Sequence, residues 1–325
     1  MSEARVAVLR GGPSDEYEVS MRTGASVLGA LQKSSYQPHD IVISKAGEWI
    51  VDGFPRAPKD ALATADVAFI ALHGAYGEDG EVQRLLDRLG IPYTGSKAYA
   101  SSLAMNKILT KEHLYDMPVK MAPHMRVTKG RNTDIARVAH RIEELYGHEC
   151  VVKPVNSGSS VDTFITRGGG ELTRILGQLL EHRDEVLVEK RIHGREATIG
   201  VVERFRDQSL YALPAIEIVV PDEEHFFTYN AKYSGKTDEI CPGRFSADEK
   251  RQLSDFAAQI HAILGLSQYS RSDFIVADDG MYFLEVNTLP GLTAESLMPK
   301  ALDAVGCSYS EFIEHLITDA LVRRR

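Results

Sequence analysis

Short apolar runs alternate with segments of helical periodicity along the first hundred residues. The runs 6–9, 41–43 and 67–72 predict buried strands. A helical pattern at 19–33 follows the first strand, and another, up to Leu89, follows the third strand and its loop 73–80. Strands that alternate with helices predict a parallel sheet with crossover connections, whose ligand loops lie at the carboxyl ends of the strands. Glycine-bearing loops at 11–12 and 73–80 follow two of the predicted strands.

Two further units follow. The second has predicted helices at 98–115 and 133–146 and predicted strands at 124–127 and 150–153. The third has strand 186–189, helix 247–264 and a hairpin of strands 273–277 and 281–286, closed by an Asp-Asp-Gly turn. We therefore predict an α/β protein with domains 1–97, 98–185 and 186–325.

The composition and net charge exclude several classes of protein. The chain has 325 residues, 43% of them hydrophobic and 26% charged, as in globular proteins. The net charge of −9 weighs against a nucleic-acid surface, and no apolar run has membrane-spanning length. Three scattered cysteines argue against a disulfide framework or a zinc site. With no secretory signal, we expect a cytoplasmic protein.

The strongest local signal for chemistry is on the last predicted hairpin. Glu285 and Asn287 are two apart on a strand and project from one face, with Asp273 on the partner strand. Two carboxylates and a carboxamide suit Mg²⁺. The alternative is a solvated strand face; against it, Leu284 and Val286 are expected to bury the opposite face. The loop 288–292 can direct backbone N–H groups at an anion.

Two other segments are weaker alone. Lys153 ends an apolar strand before the Gly/Ser loop 156–161, which suits phosphates, although a surface hairpin with a lysine at its edge has the same pattern. The apolar strand 186–189 ends at Glu189 and is followed by Lys190. Its backbone groups could bind adenine, with Glu196 on the ribose. An ordinary strand followed by a charged turn is the alternative there.

Three loops are further candidates for a functional site. In 11–20 a glutamate suits a substrate ammonium, or caps a helix. His73 begins a glycine-rich loop, where a lone histidine is more often structural. The aromatic segment 226–233 suits a lid over a site, with a plain surface loop as the alternative.

Taken together, six stretches resemble the D-alanine–D-alanine ligases, a branch of the ATP-grasp enzymes. They are GGPSDEYEVS, HGAYGEDG, SLAMNK, VVKPVNSGSSV, FFTYNAKY, and SRSDF with FLEVNTLPGLTAESLMP. The resemblance covers nearly the whole chain. It implies an N-terminal substrate-binding domain with a parallel sheet, followed by a two-subdomain ATP-grasp fold (α+β). It also implies a homodimer that uses ATP and two Mg²⁺ ions, with Mn²⁺ as a substitute.

The resemblance implies roles for individual residues as well. ATP phosphates would be held by Lys107, Lys153, Lys232 and the loop residues Ser157, Gly158, Ser159 and Ser160. Adenine and ribose would be held by Glu189, Lys190, Ile192, Glu196 and Leu284. Metal ligands would be Asp273, Glu285 and Asn287.

For the amino-acid substrates, the resemblance implies that Glu16 binds the first D-alanine, with His73 close by. Ser296 and Leu297 would receive the carboxylate of the second D-alanine, and Arg271 and the Gly291 N–H would stabilise the oxyanion. A hydrogen-bonded latch would join the lid to the other domains through Glu16, Ser159 and Tyr233.

The sequence departs from the family pattern at two positions: Asp162 replaces a common glycine, and Ser272 an aliphatic residue. Alternatives remain open: a ligase for other amino acids such as D-serine, or a nucleotide-binding regulator without turnover. Tyr233 disfavours D-alanine–D-lactate ester formation. The glycine spacing at 11–12 does not fit a dinucleotide oxidoreductase.

Overall fold

The structure is a computed structural model, and it describes residues 4–130, 133–156, 158, 162–219 and 237–323. The described residues form three sheets of five, four and seven strands. No described helix is both long and apolar enough to cross a membrane.

The first sheet has the order β4-β3-β2-β1-β5. Its strands are β1 (Arg5–Gly11), β2 (Gln37–Ile43), β3 (Trp49–Val51), β4 (Phe54–Arg56) and β5 (Val67–Ile70). As predicted, β2, β1 and β5 are parallel. The sequence pattern did not reveal β3 and β4, which add an antiparallel edge. The helices here are α1 (Tyr17–Leu31), α2 (Pro58–Ala61) and α3 (Glu81–Leu89).

The predicted helix 98–115 is two helices, α4 (Ala98–Met105) and α5 (Lys107–His113). They meet at Asn106, whose side chain accepts hydrogen bonds from the backbone N–H groups of Ile108 and Leu109. Asparagine is a favoured residue at a helix start because it satisfies these N–H groups. The break makes Lys107 the first residue of α5.

The four-stranded sheet has the order β7-β10-β8-β9. Its strands are β7 (His124–Thr128), β8 (Cys150–Pro154), β9 (Phe164–Ile165) and β10 (Glu185–Lys190), with helices α6 (Ile135–Tyr146) and α7 (Glu171–His182). We expected strand 186–189 in the third unit. It instead pairs antiparallel with both β7 and β8. The chain therefore leaves this sheet after Lys190.

The largest sheet has the order β14-β13-β11-β15-β16-β6, with β12 paired to β11. Its strands are β6 (Lys120–Met121), β11 (Arg195–Phe205), β12 (Gln208–Ala212), β13 (Ile216–Val219), β14 (Asp238–Ile240), β15 (Tyr269–Ala277) and β16 (Gly280–Asn287). Helix α8 (Ala247–Ile263) begins with a Ser246–Glu249 capping box. Two more helices follow, α9 (Leu297–Asp303) and α10 (Tyr309–Val322).

The first sheet shares its hydrophobic core with the end of the chain. Phe312, Ile313 and Leu316 of α10 are fully buried and belong to the same apolar cluster as Val8 of β1 and Phe69 of β5. This packing brings the loop that precedes α9 beside the strand-end loops of the first sheet.

Candidate functional site

One cavity of about 520 Å³ lies where the first sheet meets the end of β16 and the start of α9. Eight of the residues predicted above line it. They are Glu16, His73, Gly158, Arg271, Asn287, Gly291, Ser296 and Leu297. These residues are distant in sequence, so the fold brings them together.

Glu16 stands immediately before α1 and is buried. The preceding loop is fixed by Ser14, whose hydroxyl donates to the His73 carbonyl over 2.8 Å and accepts from the Glu16 N–H over 3.2 Å. A Cβ on Gly74 would lie 2.7 Å from Glu16 Oε2, and one on Gly158 would lie 3.0 Å away. Glycine at both positions therefore leaves the room that the carboxylate occupies.

Both ring nitrogens of His73 have protein partners. Nδ1 lies 2.9 Å from the Leu289 carbonyl, which can only accept, so Nδ1 carries the proton. Nε2 then accepts from the Thr23 hydroxyl at 2.8 Å. Burial lowers the pKa of His73, although the negative charge of Glu16 opposes the shift. A neutral His73 thus joins the first strand-end loop to the loop after β16.

Sequence reasoning assigned no role to Glu78, which lines the same cavity. Its carboxyl group accepts from the N–H groups of Gly74 (2.7 Å) and Leu289 (3.2 Å). Burial, together with the charge of Glu16, raises the pKa of Glu78 to about 8. The only sequence signal was its place in the HGAYGEDG loop.

Asp273 is opposite Glu285 on paired strands, as predicted. Arg271 donates two hydrogen bonds of 3.0 Å to the Asp273 carboxylate. The Asn287 amide donates a third over 3.3 Å, and the Thr198 hydroxyl makes a short contact. The three predicted metal ligands thus cluster beside the predicted oxyanion donor.

The pairing of β15 with β16 shifts register at this point. Asp273 is opposite Glu285 but Phe274 is opposite Phe283, which leaves Leu284 without an opposite residue. The expectation that Leu284 and Val286 bury one face was therefore wrong for Leu284. Val286 and Phe283 are buried, whereas Leu284 is half-buried. Such irregularities re-aim side chains and are frequent beside functional sites.

Lys107 extends the polar cluster. Its ammonium group lies 3.4 Å from Glu285 Oε2. Burial lowers the pKa of Lys107, and Glu285 opposes that shift only in part. A small cleft beside the cavity is lined by both residues together with Glu78, Gly158 and Asn287. The cleft connects the predicted phosphate and metal residues to the cavity that Glu16 lines.

Lys153 and Glu189 form a buried ion pair of 2.6 Å between β8 and β10. Lys111 of α5, which sequence reasoning missed, lies 2.8 Å from the other carboxylate oxygen of Glu189. Burial alone would raise the pKa of Glu189, but the two ammonium groups lower it to about 2. Glu189 is therefore ionised at neutral pH.

The donor set near Asp273 fits magnesium. Among the described residues, no three His, Cys, Asp or Glu side chains are grouped to hold an ion. The set consists instead of two carboxylates and the Asn287 carboxamide. Mg²⁺ commonly takes one or two carboxylates and completes its shell with water and substrate phosphates. A sparse set of oxygen ligands next to two lysines fits that pattern.

The predicted adenine residues lie elsewhere. Lys190 is exposed, and its backbone N–H donates to the Pro123 carbonyl over 2.9 Å. Ile192, Glu196 and Leu284 are half-buried. None of these four lines the 520 Å³ cavity. The predicted residues Ser157, Ser159, Ser160, Lys232 and Tyr233, and the lid 226–233, lie outside the described residues.

The loop after β16 ends at the N-terminus of α9. The Ser296 hydroxyl accepts from the Thr293 N–H over 3.1 Å, which fixes the turn. A Cβ on Gly291 would lie 2.8 Å from Ser296 Oγ. The loop therefore closes tightly on itself, and the backbone at Leu297 begins a helix whose first N–H groups can receive an anion.

Comparisons with known proteins agree with this arrangement. Residues 113–318 match the family described as D-ala D-ala ligase C-terminus, and residues 5–56 and 51–96 match D-ala D-ala ligase N-terminus. A D-alanine–D-alanine ligase of Geobacter sulfurreducens is 40% identical over 98% of this chain and 95% of its own length. One from Syntrophobacter fumaroxidans is 39% identical over 97% of each chain.

A solved structure is similar throughout. The D-alanine–D-alanine ligase of Bacillus anthracis, complexed with ATP, superposes with a TM-score of 0.79 at 31% identity. The match covers 99% of this chain and 98% of that one. The likeness extends over all three sheets.

Proposed function

This chain belongs to the D-alanine–D-alanine ligase family, and from that membership we propose how its residues share the reaction. The reaction is the ATP-dependent joining of two D-alanine molecules into D-alanyl-D-alanine, a cell-wall precursor. The observation that supports the assignment most directly is the shared cavity. It combines a carboxylate side chain (Glu16), a guanidinium (Arg271) and a helix start (Leu297) in one space of about 520 Å³.

We assign the ammonium of the first D-alanine to Glu16. The carboxylate is buried, so its attraction for a cation is weakly screened. His73, whose pKa is lowered by burial, adds no competing positive charge beside it. Ser296 and the Leu297 N–H receive the carboxylate of the second D-alanine, where the start of α9 favours an anion.

The nucleotide phosphates are assigned to Lys107, Lys153 and the loop that contains Gly158. Asp273, Glu285 and Asn287 would hold Mg²⁺, or Mn²⁺ in its place, which offsets charge on the phosphoryl group that is transferred. Lys107 pairs with Glu285 and Arg271 with Asp273, so both cations lie beside the proposed metal ligands. We retain Ser157, Ser159, Ser160 and Lys232 as phosphate contacts, and Glu189, Lys190, Ile192, Glu196 and Leu284 as contacts of adenine and ribose.

A carboxylate is a poor electrophile, so transfer of the γ-phosphoryl group to the first D-alanine makes an acyl phosphate. The amine of the second D-alanine then attacks, and phosphate leaves. Arg271 and the Gly291 N–H would stabilise the oxyanion. A lid at 226–233, tied by Tyr233 and Ser159 to Glu16, would keep water from the acyl phosphate. We further propose a cytoplasmic homodimer.

Product analysis tests the reaction. With ATP, Mg²⁺ and D-alanine, we expect D-alanyl-D-alanine, ADP and phosphate in equal amounts. ADP release with L-amino acids or D-serine but not with D-alanine would indicate a different ligase. Nucleotide binding without ADP release would indicate a regulator.

A pair of variants tests the substrate site. Glu16→Gln should raise the KM for D-alanine at least about tenfold, because a buried charge partner is lost. Glu18→Gln changes an exposed glutamate two residues later and should leave that KM unaltered. Equal values in both variants would remove Glu16 from the assignment.

A further inference from the structure

Three buried charged side chains meet where α5 rests on the four-stranded sheet. The Glu189 carboxylate contacts Lys111 through Oε1 (2.8 Å) and Lys153 through Oε2 (2.6 Å). All three side chains are at most 9% exposed. At this burial, their charges interact strongly and salt screens them little.

The position of Lys111 is fixed by its helix. Lys107 and Lys111 are four residues apart on α5, so they lie on one face. The Lys107 N–H donates to the Val155 carbonyl over 3.1 Å, and Ile108 packs against Val155 and Leu187. These contacts attach α5 to β8 and β10, which holds Lys111 beside Glu189.

The net charge of these three side chains determines how strongly the cluster can attract a nucleotide phosphate. With Lys111, the three groups sum to one positive charge. Without Lys111, Glu189 and Lys153 would form a neutral pair, and Glu189 would hold the Lys153 ammonium in addition to the weaker attraction of Glu285. A phosphate group would then have to compete with Glu189 for Lys153.

We propose that Lys111 is a positioning residue for ATP: it neutralises Glu189, so that the charge of Lys153 is directed to the nucleotide phosphates. This inference rests on the proposed function, in which Lys153 binds those phosphates. Lys111 itself contacts Glu189 and acts through it. Its loss should weaken ATP binding and leave the D-alanine site, which Glu16 and Ser296 form, unaffected.

A double-mutant cycle separates this role from simple structural support. In the wild-type background, Lys111→Met should raise the KM for ATP about tenfold, with little change in kcat or in the KM for D-alanine. In the Glu189→Gln background, the same change should raise the KM for ATP less than about twofold, because the carboxylate that contacts both lysines is gone. Glu189→Gln by itself also changes the KM for ATP, and the cycle subtracts that change.

Matched controls complete the test. Lys111→Arg keeps the charge and should preserve the KM for ATP. Lys120→Met removes a lysine that pairs with Asp279 at the surface and should change nothing. If Lys111→Met does not fold, Lys111→Gln makes the same comparison. An unaltered KM for ATP in the neutral variant, or an equal rise in both backgrounds, would refute the proposal.

Failure of the proposed role of Lys111 can be distinguished from failure of the proposed ligase function. Wild-type protein that binds ATP and Mg²⁺ in calorimetry but forms no dipeptide contradicts the ligase assignment. The affinity for ATP measured in that titration still compares Lys111→Met with wild type in both backgrounds. The positioning role of Lys111 is therefore tested by the affinity for ATP alone, whether or not the protein forms a dipeptide.

Discussion

Ser270 and Ser272 lie two residues apart on β15, both fully buried, yet their hydroxyl groups differ in hydrogen bonding. Ser270 Oγ is 2.7 Å from His261 Nδ1. Ser272 Oγ has no hydrogen-bond partner among the described residues. A buried hydroxyl without a partner costs free energy, so the departure from the family's aliphatic residue at 272 has a measurable effect.

Ser272→Ala should therefore raise the free energy of unfolding by about 1 kcal/mol, since it removes an unsatisfied polar atom. Ser270→Ala is the matched control and should lower the free energy of unfolding by about 1 kcal/mol, because Nδ1 of His261 loses its hydrogen-bond partner. Urea unfolding of the two variants makes the comparison. Equal destabilisation by both would contradict the difference between the hydroxyl groups.

The second departure from the family, Asp162, has φ = 56°, in the left-handed region that favours glycine. Its carboxylate accepts from Arg183 over 2.7 Å at a partly exposed position. Asp162→Gly should change the free energy of unfolding by less than about 1 kcal/mol, because glycine accepts this φ and exposed ion pairs contribute little. Asp162→Val should lower it by about 2 kcal/mol, because a β-branched residue is strained there. A valine variant as stable as the glycine variant in urea would show that this φ carries no strain.

Glu285 is the proposed metal ligand whose loss should be most informative. Glu285→Ala should lower turnover at least about a hundredfold while the melting temperature changes little, because the side chain is only partly buried. Asp279→Ala, at the tip of the same hairpin, is the control and should retain full activity. Normal turnover by Glu285→Ala would remove Glu285 from the metal site.

Glu78 should make stability depend on pH. Its pKa in the folded protein is about 8, above the value of 4.5 expected in the unfolded chain. The folded state therefore binds more protons between these values. The contribution to stability is complete below pH 4.5 and is lost as pH rises towards 8. Glu78→Gln should flatten the fall in unfolding free energy between pH 5 and 8, as measured by urea unfolding at several pH values. An unchanged slope would mean that Glu78 is ionised across this range.

The longer strands and helices were predictable because each has its own period of apolar residues, whereas the three-residue strands β3 and β4 are too short to show one. Glu285 and Asn287 could be recognised as a candidate pair because they lie two residues apart on one strand, whereas the roles of Glu16, Arg271 and Gly291 came from the family resemblance. Sheet membership was not predictable in the same way. Strand β10 has the same apolar pattern in either sheet, and its pairing with β7 and β8 depends on contacts distant in sequence.

Sequence reasoning missed some site residues for the same reason. Lys111 and Glu189 are far apart in the chain, and nothing in the sequence around either one identifies the other as its partner. The register shift at Leu284 changes which side chains face the core, and strand alternation alone does not reveal such a shift. Burial, which governs the pKa of Glu78, also exists only once the loops meet.

The last helix completes the core of the first sheet. Its apolar side chains, including Phe312 and Leu316, cover residues of β1 and β5 that are synthesised about 240 to 310 positions earlier. During translation, part of the apolar surface of the N-terminal strands is therefore uncovered until α10 leaves the ribosome. A fragment that ends before Tyr309 would keep that surface open to solvent and to other chains.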